Sequence, residues 1–315
     1  MLVTGATGFI GRQLLVALRD AGIGVAAAVR GRPIAGIRNI RFDLREPDRL
    51  SPDDLRGFDC VYHLAARVHV MQPGPGEDAA FQLQNVRATR SLAECAARAG
   101  VRRLVYLSSI KVNGEHTSDR PFRAHDAPAP QDAYGRSKRD AENALFDVAA
   151  TTALEVVCIR PPLVYGPGVR ANFRRLISLV DCGWPLPFRG VNNRRSLISV
   201  WNLADLLVLA GSSECAAGRV FLAADGEDVS TPDLMNLIAS ALGRPRARLV
   251  AAPPALLKVI ALVVGKSAEA SRLLDSLQVD ATETREAIGW VPAVSMRDGV
   301  FRTVSWFKEP NGAVT

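Results

Sequence analysis

The chain has 315 residues, of which 48% are apolar, and this composition excludes a disordered chain and supplies enough apolar side chains for a large core. The net charge is +7, but the basic residues are scattered and no aromatic-rich basic tract or zinc-ligand spacing occurs, so nucleic acid binding is not expected. A small anionic substrate accounts for the excess positive charge equally well.

The five cysteines indicate a reducing compartment, because they are odd in number, widely spaced and include no C-x-x-C pair. No signal peptide precedes the first predicted strand, so a cytoplasmic location is expected. The most apolar stretch, residues 255–264, is too short to span a bilayer and contains Lys258. It is predicted to be a buried or partner-facing helix, and no membrane insertion is expected.

Short apolar strands alternate with amphipathic helices through the first half of the chain. This alternation predicts right-handed βαβ units and a parallel sheet covered on both faces. The predicted strands are Leu2–Thr4, Gly24–Val29, Ile40–Phe42, Cys60–Leu64, Arg103–Ser108 and Leu154–Ile159, and the predicted helices are Gly11–Ala21, Leu83–Ala99 and Tyr134–Ala149.

The alternation stops after Pro161, where further prolines interrupt the chain up to Arg195. A helix over Asn202–Ser212 and a strand over Arg219–Ala223 are then predicted to return to the sheet. The predicted architecture is α/β, a doubly wound parallel sheet with a smaller C-terminal substrate-binding lobe. The dinucleotide-binding domain would comprise residues 1–165 plus about 200–226, and the lobe about 166–199 plus 227–315.

A glycine motif follows the first predicted strand directly. Gly5, Gly8 and Gly11 are spaced G-x-x-G-x-x-G and lead into a predicted helix. Glycine permits the tight turn and close backbone approach to phosphates, and the helix N-terminus offers free N–H groups to an anion. The motif therefore predicts a pyrophosphate site.

Tyr134 and Lys138 are four residues apart on a predicted helix, so their side chains share a face. A nearby ammonium favours phenolate, and the spacing therefore predicts a lowered Tyr134 pKa suited to proton exchange with an alcohol or ketone. Ser108 and Ser109 end a strand about 25 residues earlier, where parallel sheets carry their active-site crevice. Spacing alone leaves open which serine bonds the substrate oxygen.

These motifs occur in the order typical of one family. The glycine motif, Asp43-Leu44, Leu64-Ala65-Ala66, Ser108-Ser109, Tyr134-x-x-x-Lys138 and residues 160–167 (R-P-x-x-V-Y-G-P) together resemble the extended short-chain dehydrogenase/reductases, the NAD-dependent epimerase/dehydratase family. The resemblance covers essentially the whole chain.

The resemblance implies a catalytic triad of Ser109, Tyr134 and Lys138, adenine contacts from Asp43 and Leu44, and a nucleotide-sugar substrate. Lys138 would also hold the nicotinamide ribose. The residues expected at the cofactor are Gly5, Thr7, Gly8, Phe9, Ile10, Gly11, Arg30, Asp43, Leu44, Leu64, Ala65, Ala66, Lys138 and Pro161.

The end of the second strand bears on the choice of cofactor. Members of this family that prefer NAD usually carry an acid there, but residues 28–32 read Ala-Val-Arg-Gly-Arg. A carboxylate would repel a 2′-phosphate, whereas arginine attracts one. NADP(H) is therefore favoured, with NAD(H) possible if Arg30 only stacks on adenine.

The reaction is narrowed by departures from the family pattern. Related dehydratases place an Asp-Glu pair after the active-site Ser/Thr, where this chain has Ile110-Lys111, so dehydration is not expected. Residues 108–115, 193–197 and 274–280 resemble bacterial sugar 4-ketoreductases of polysaccharide synthesis. Those enzymes reduce UDP-2-acetamido-2,6-dideoxy-4-ketohexose to UDP-N-acetylquinovosamine or UDP-N-acetylfucosamine.

Three substrate-binding residues are expected in this subgroup interpretation. Arg195 has a planar fork suited to the diphosphate, and Asn172 occupies a position that commonly contacts the base. Lys111 either contacts the sugar or caps the strand end. The four histidines (His63, His69, His116 and His125) show no metal-ligand spacing, so no metal is expected.

Several alternatives stay open. A C4 epimerase would keep NAD bound through its cycle, and a non-catalytic dinucleotide-binding sensor would need neither Tyr134 nor Lys138. A homodimer contact through helices Leu83–Ala99 and Tyr134–Ala149 is expected by analogy with the family. The apolar stripe Leu256–Val264 either fills the core of the lobe, which is favoured, or contacts a membrane-associated partner.

Overall fold

The computed structural model describes residues 1–68 and 76–309, and His69 lies outside them. Seven parallel strands form the central sheet in the order β3-β2-β1-β4-β5-β6-β9. Their bounds are β1 Leu2–Thr4, β2 Ala26–Val29, β3 Arg38–Arg41, β4 Cys60–His63, β5 Arg103–Leu107, β6 Glu155–Arg160 and β9 Val220–Leu222. This order reverses direction at β1 and β4, as in doubly wound folds, and confirms the predicted fold class.

A second, three-stranded sheet joins β7 (Leu163–Tyr165), β8 (Arg195–Ser199) and β10 (Asp228–Val229). β7 pairs with β8 in parallel and β10 pairs with β8 antiparallel. The proline-interrupted segment was not predicted to contain strands. Pro161 and Pro162 lie between β6 and β7, so the prolines end one strand without preventing the next.

Twelve α-helices occur in the described ranges. Their bounds are α1 Phe9–Asp20, α2 Pro52–Leu55, α3 Glu77–Phe81, α4 Ala88–Arg98, α5 Ala133–Thr151, α6 Ala171–Asp181, α7 Val200–Ser212, α8 Thr231–Ala241, α9 Pro254–Val263, α10 Ser267–Leu274, α11 Thr282–Ile288 and α12 Met296–Lys308. A π-helical turn, Gln82–Arg87, joins α3 to α4, so the predicted helix from Leu83 begins earlier and is not uniform.

The sheet divides two buried apolar clusters. On one face α1 and α7 cover side chains of β1, β4, β5 and β6, and on the other face α4 and α5 cover the alternate residues of the same strands. Because every residue of β4 and β5 is buried, these strands show no alternation of apolar and polar residues, and His63 and Arg103 are their buried polar ends.

The C-terminal lobe has a third apolar cluster built from α6, α8 and α12. As predicted, α7 and β9 return to the central sheet, where β9 pairs with β6. The division into residues 1–165 plus about 200–226 and residues 166–199 plus 227–315 is retained as a proposal.

One prediction about the lobe is wrong. The stripe Leu256–Val264 was expected to fill the core, yet of α9 only Ala261 is buried and most of its large apolar side chains are exposed. The lobe core is instead closed by α6, α8 and α12, which leaves α9 packed mainly against α10.

All five cysteines are free thiols, and three of them are buried. The reducing compartment and the cytoplasmic location stay predictions. Within residues 1–68 and 76–309, no helix combines the length and apolarity needed to cross a membrane.

Candidate active site

The turn between β1 and α1 is built for glycine. Gly5 has a φ of +67°, and a Cβ there would lie 2.8 Å from the backbone nitrogen of Ala65. A Cβ on Gly11 would lie 2.2 Å from the carbonyl oxygen of Gly5, so the helix packs directly on the turn. α1 begins with no side-chain cap and no acidic residue in its first turn. Its first amides therefore stay available to an anion.

The side-chain hydroxyl of Thr4 links the end of β4 to this turn, beyond the backbone pairing of β1 with β4. Thr4 Oγ1 accepts hydrogen bonds from the backbone N–H groups of Leu64 and Ala65, at 3.2 and 3.1 Å. The same oxygen lies 2.8 Å from Nδ1 of His63, whose pKa burial lowers to about 3. His63 is therefore a neutral core residue that aligns two strand ends, and the predicted cofactor residues Leu64–Ala66 lie next to Gly5.

Asp132 starts the helix that carries Tyr134 and Lys138. Its Oδ1 accepts a hydrogen bond of 2.7 Å from the backbone N–H of Gly135, which satisfies one free amide of α5. Tyr134 and Lys138 follow on one face, with Nζ of Lys138 5.8 Å from the Tyr134 ring centroid. The ring of Phe81 lies 6.2 Å from that of Tyr134 and covers it.

Lys138 is held deep against the end of β5. Its Nζ donates to the carbonyl oxygen of Leu107 at 2.8 Å and to the hydroxyl of Tyr106 at 3.1 Å. Only 2% of the residue is exposed, and burial lowers the pKa of Lys138 to about 7. The ammonium therefore loses its proton in a pH range where an ordinary lysine stays charged.

The expected effect of Lys138 on Tyr134 is not found. Burial raises the pKa of Tyr134 above its usual value, and the carboxylate of Asp132 raises it further, so the predicted lowering is wrong for the protein alone. The physical reason is that desolvation of the phenol outweighs the attraction of an ammonium that is itself desolvated.

Ser109 lies at the start of a short 3₁₀ helix, Ile110–Val112, directly after β5. Its Oγ accepts a hydrogen bond of 3.3 Å from the backbone N–H of Lys111, and the residue is partly exposed. Ser108 is buried, and its Oγ has no hydrogen-bond partner within the described part of the chain. Of the two serines, Ser109 is thus the more accessible.

Lys111 connects the serine turn with the start of α5. Its Nζ donates to Glu115 Oε1 at 2.6 Å and to Asp132 Oδ2 at 2.5 Å. The sequence carries no acid directly after Ser109. Two carboxylates do lie near this position, but both hold Lys111.

The comparisons with known proteins agree with this geometry. A family model for the NAD dependent epimerase/dehydratase family matches residues 1–223. The chain is 39% identical to a UDP-glucose 4-epimerase of Vibrio cholerae, over 99% of this chain and 96% of that protein. It is 30% identical to a UDP-glucose 4-epimerase of Mycolicibacterium smegmatis, over 98% of both. The chain belongs to the NAD-dependent epimerase/dehydratase family.

A solved structure of MoeE5 in complex with UDP-glucose and NAD superimposes with a TM-score of 0.77, covering 98% of each chain at 30% identity. The family assignment makes the chain an enzyme of the extended short-chain dehydrogenase/reductase class. The glycine turn, the free first-turn amides of α1 and the adjacent Leu64–Ala66 segment together fit the diphosphate of a dinucleotide.

The adenine end of this family site is basic. Arg30 follows β2 and is exposed, and no carboxylate lies in the turn at residues 30–33. Hydrogen bonds from Arg45, with a smaller contribution from the charge of Arg30, lower the pKa of Asp43 to about 2. Asp43 is therefore ionised but occupied by Arg45, and its predicted adenine contact stays a prediction, as does that of the partly buried Leu44.

The three predicted substrate residues are brought together only in part. Arg195 donates to the carbonyl oxygen of Asp275 at 2.9 Å, and burial lowers its pKa to about 10. Glu115, a partner of Lys111, is near enough to Arg195 for its charge to raise the pKa of that arginine. Asn172 lies half-buried in the first turn of α6. Its contact with a base stays a prediction.

Sequence reasoning missed the groups that hold the site in place. Arg160 and Glu142 form a buried two-point ion pair at 2.9 and 2.5 Å, behind the backbone of Pro161. Pro161 accepts a hydrogen bond of 2.9 Å from the N–H of Ile110, so it supports the serine turn. Of the missed groups, only Asp132 had a recognisable signal, as a helix N-cap two residues before Tyr134.

Proposed function

We propose that this enzyme transfers a hydride between a nicotinamide dinucleotide and C4 of a UDP-sugar. The proposal is supported by the dinucleotide-shaped turn, by the Ser109–Tyr134–Lys138 arrangement and by relatives named UDP-glucose 4-epimerase. A bound nicotinamide dinucleotide would supply or accept the hydride. Gly5, Gly8 and the first amides of α1 would hold its diphosphate, and Lys138 its ribose.

The favoured direction is reduction of a C4 ketone, because no acid pair for dehydration follows Ser109 and because residues 108–115, 193–197 and 274–280 resemble sugar 4-ketoreductases. A phenol that stays protonated at neutral pH is ready to donate a proton to a developing alkoxide. Oxidation of an alcohol would instead begin from phenolate. Ser109, the accessible serine beside Tyr134 in the family arrangement, would hydrogen-bond the same oxygen.

The proposed substrate is a UDP-2-acetamido-2,6-dideoxy-4-ketohexose and the proposed cofactor is NADPH. The exposed Arg30, with no carboxylate in the turn after β2, suits a 2′-phosphate better than a bare ribose. Lys111, Arg195 and Asn172 would contact the nucleotide sugar. Lys111 can do so by exchanging one of its two carboxylate partners for a sugar oxygen.

A C4 epimerase is the second candidate, and the 39% identity to the Vibrio cholerae protein favours it. Both activities use hydride transfer at C4, but an epimerase retains its dinucleotide and returns the hydride to the opposite face. The same protein preparation distinguishes them. Tightly bound NAD and interconversion of UDP-N-acetylglucosamine and UDP-N-acetylgalactosamine without added cofactor would establish the epimerase and contradict the reductase.

The decisive experiment follows oxidation of added NADPH and NADH with UDP-4-keto-6-deoxy-N-acetylglucosamine, and NMR assigns C4 of the product. Tyr134→Phe should lower turnover by about 10²–10⁴-fold while dinucleotide binding persists, because only the proton donor is removed. Tyr62→Phe is the matched control, since its buried hydroxyl has no partner in the described part of the chain. Turnover of Tyr134→Phe equal to wild type would refute the assigned role.

We further propose a homodimer that pairs α4 and α5 of one protomer with the same helices of its partner. These two helices pack side by side against the sheet and leave Arg90, Glu94 and Asp147 exposed on their outer faces. A monomeric mass in light scattering after size-exclusion chromatography would exclude this arrangement.

A further inference from the structure

The apolar stripe of α9 faces solvent instead of protein. Leu256, Val259, Ile260 and Val263 follow the i, i+3, i+4, i+7 spacing of a single helix face, and each is at least half exposed, with Val263 at 81%. Leu257 and Ala261, on the opposite face, are the residues that pack on the lobe. The side of this helix that is richest in large apolar groups is therefore the side turned away from the protein.

The stripe continues past the end of the helix. Leu262 and Val264 are 69% and 58% exposed, so six large apolar residues within nine positions contact solvent. Single exposed apolar residues are ordinary, but a contiguous group of this size marks a contact with an apolar phase.

The surroundings of the stripe are cationic. Residues 244–272 contain six Arg or Lys residues and one acidic residue, Glu269. Two of the six cations form ion pairs with carboxylates outside this range, Arg244 with Asp181 and Lys258 with Asp275. Arg246 and Lys266 are exposed and form no ion pair with any residue in the described ranges. Arg246 lies a few residues before α9 and Lys266 directly after it, so unneutralised positive charge borders the apolar stripe at both ends.

The segments that precede α9 in space also combine exposed apolar and basic residues. Leu186 and Val250 exchange backbone hydrogen bonds with each other's segments, and Arg248 donates to the carbonyl oxygen of Gly183. Trp184, beside Gly183, is 74% exposed. An exposed tryptophan next to arginine is typical of protein surfaces that meet the headgroup region of a bilayer.

We propose that the exposed face of α9, with Arg246, Arg248 and Lys266, binds the surface of an anionic lipid bilayer. The apolar stripe would enter the headgroup boundary while the basic residues contact acidic headgroups. With ten residues, α9 is too short to span, so the helix would lie along the surface. This proposal is independent of the reaction assigned to the active site.

A second copy of the chain fits this face less well. In a two-fold contact the same surface meets itself, so Arg246 and Lys266 would approach basic residues of the partner whether the two α9 helices are parallel or antiparallel. An anionic membrane supplies both the apolar phase and the opposite charge, and it needs no groove, which a single exposed helix does not provide.

The test is flotation of the full chain with phosphatidylcholine vesicles that do or do not contain phosphatidylglycerol. Wild type should float only with the anionic vesicles and should be released by high salt. Val259→Asp combined with Val263→Asp should lower binding by at least about ten-fold, because carboxylates on the stripe oppose insertion and repel acidic headgroups. Arg246→Ser combined with Lys266→Ser should lower it by roughly ten-fold or more.

Val291→Asp is the matched control, because Val291 is 75% exposed outside this region and its replacement should leave vesicle binding unchanged. Circular dichroism melts of all variants verify that the chain stays folded. Equal binding to neutral and anionic vesicles, no binding at all, or equal loss in the control overturns the proposal. A wild-type oligomer that dissociates in the Val259→Asp, Val263→Asp variant also overturns it, since the face would then join copies of the chain.

Discussion

Two buried cations, Lys138 in the candidate active site and Arg160, both lie near Glu142, and they are stabilised in different ways. Arg160, 4% exposed, donates to both oxygens of Glu142 and also to Asn113 Oδ1 at 3.0 Å. Lys138, 2% exposed, donates only to the neutral oxygens of Leu107 and Tyr106. Lys138 forms no ion pair within residues 1–68 and 76–309.

The difference arises on one helix. Glu142 is one turn beyond Lys138 on α5 and raises the pKa of that lysine, yet both of its oxygens are bonded to Arg160. Desolvation therefore dominates at Lys138 and brings its pKa to about 7. One cation is a fixed part of the scaffold, whereas the other can change charge near neutral pH at the place where a ribose and a reacting oxygen are proposed to bind.

The largest expected effect comes from breaking the paired cation. Glu142→Gln should lower the free energy of unfolding by about 3–5 kcal/mol, because it leaves the guanidinium of Arg160 buried without its counter-charge. Urea unfolding followed by circular dichroism measures the change. Glu46→Gln is the control, since Glu46 pairs with Arg49 at the surface away from the proposed dimer helices, and its cost should stay below about 1 kcal/mol.

Replacing both members of the buried pair tests whether the cost of Glu142→Gln comes from the unpaired charge of Arg160. Glu142→Leu combined with Arg160→Met removes the uncompensated charge and should recover much of the lost stability. A Glu142→Gln protein as stable as wild type would mean that the pair contributes little, and Arg160 would then be equivalent to Lys138 rather than its opposite.

The features that the sequence predicts well are those set by residues close together in the chain. The glycine turn, the Tyr134–Lys138 spacing and the serine at the end of β5 are local patterns, and the structure brings them to one edge of the sheet. The parallel sheet with helices on both faces follows from the βαβ alternation for a similar reason, because consecutive parallel strands need a crossover connection, usually a helix, between them.

The direction of the Tyr134 pKa shift could not be predicted from local sequence patterns. It depends on desolvation and on Asp132, and desolvation is a property of the packed molecule rather than of residue spacing. Glu142 is likewise 18 residues from Arg160 in sequence, and no local pattern joins them.

The apolar stripe of α9 shows that sequence periodicity alone does not predict which helix faces are buried in the fold. Periodicity at i, i+3, i+4 and i+7 identifies an apolar face but does not say what lies against it. Because α6, α8 and α12 already close the core of the lobe, the face of α9 is left outside.

The second prediction concerns the pH dependence of stability at Lys138. Its pKa in the folded protein is about 7 against an ordinary 10.5, so between these values the unfolded chain binds the extra proton. Stability contributed by this site should therefore rise with pH from about 7 towards 10, by on the order of 3 kcal/mol. Below pH 7 the buried ammonium exerts its full cost.

The measurement compares wild type with Lys138→Met across that pH range. Groups distant from Lys138 titrate equally in both proteins, so the difference between the two unfolding free energies reports Lys138 together with Cys158, whose pKa the charge of Lys138 lowers. Wild type should gain relative to the variant as pH rises. A difference that stays constant with pH would show that Lys138 keeps an ordinary pKa and that its neutral partners suffice to hold the charge.

The smallest expected effect lies at Lys111, a partly exposed cation with two carboxylate partners, Glu115 and Asp132. Asp132→Ala should lower the free energy of unfolding by about 1 kcal/mol, because the N–H of Gly135 loses its cap. Asp132→Asn should cost less, since an amide oxygen can still accept that bond. Both variants should lower the pKa of Tyr134, because the charge of Asp132 raises it.

Ultraviolet difference titration against the same background carrying Tyr134→Phe reports that pKa. Ser295→Ala is the control, because Ser295 caps α12 and its loss should cost a similar amount of stability without altering the Tyr134 titration. If Asp132→Asn leaves the phenol unchanged, burial alone sets its proton affinity. In that case the partly exposed cluster around Lys111 acts on the site through position and not through charge, which would separate it from Lys138, whose role depends on its charge.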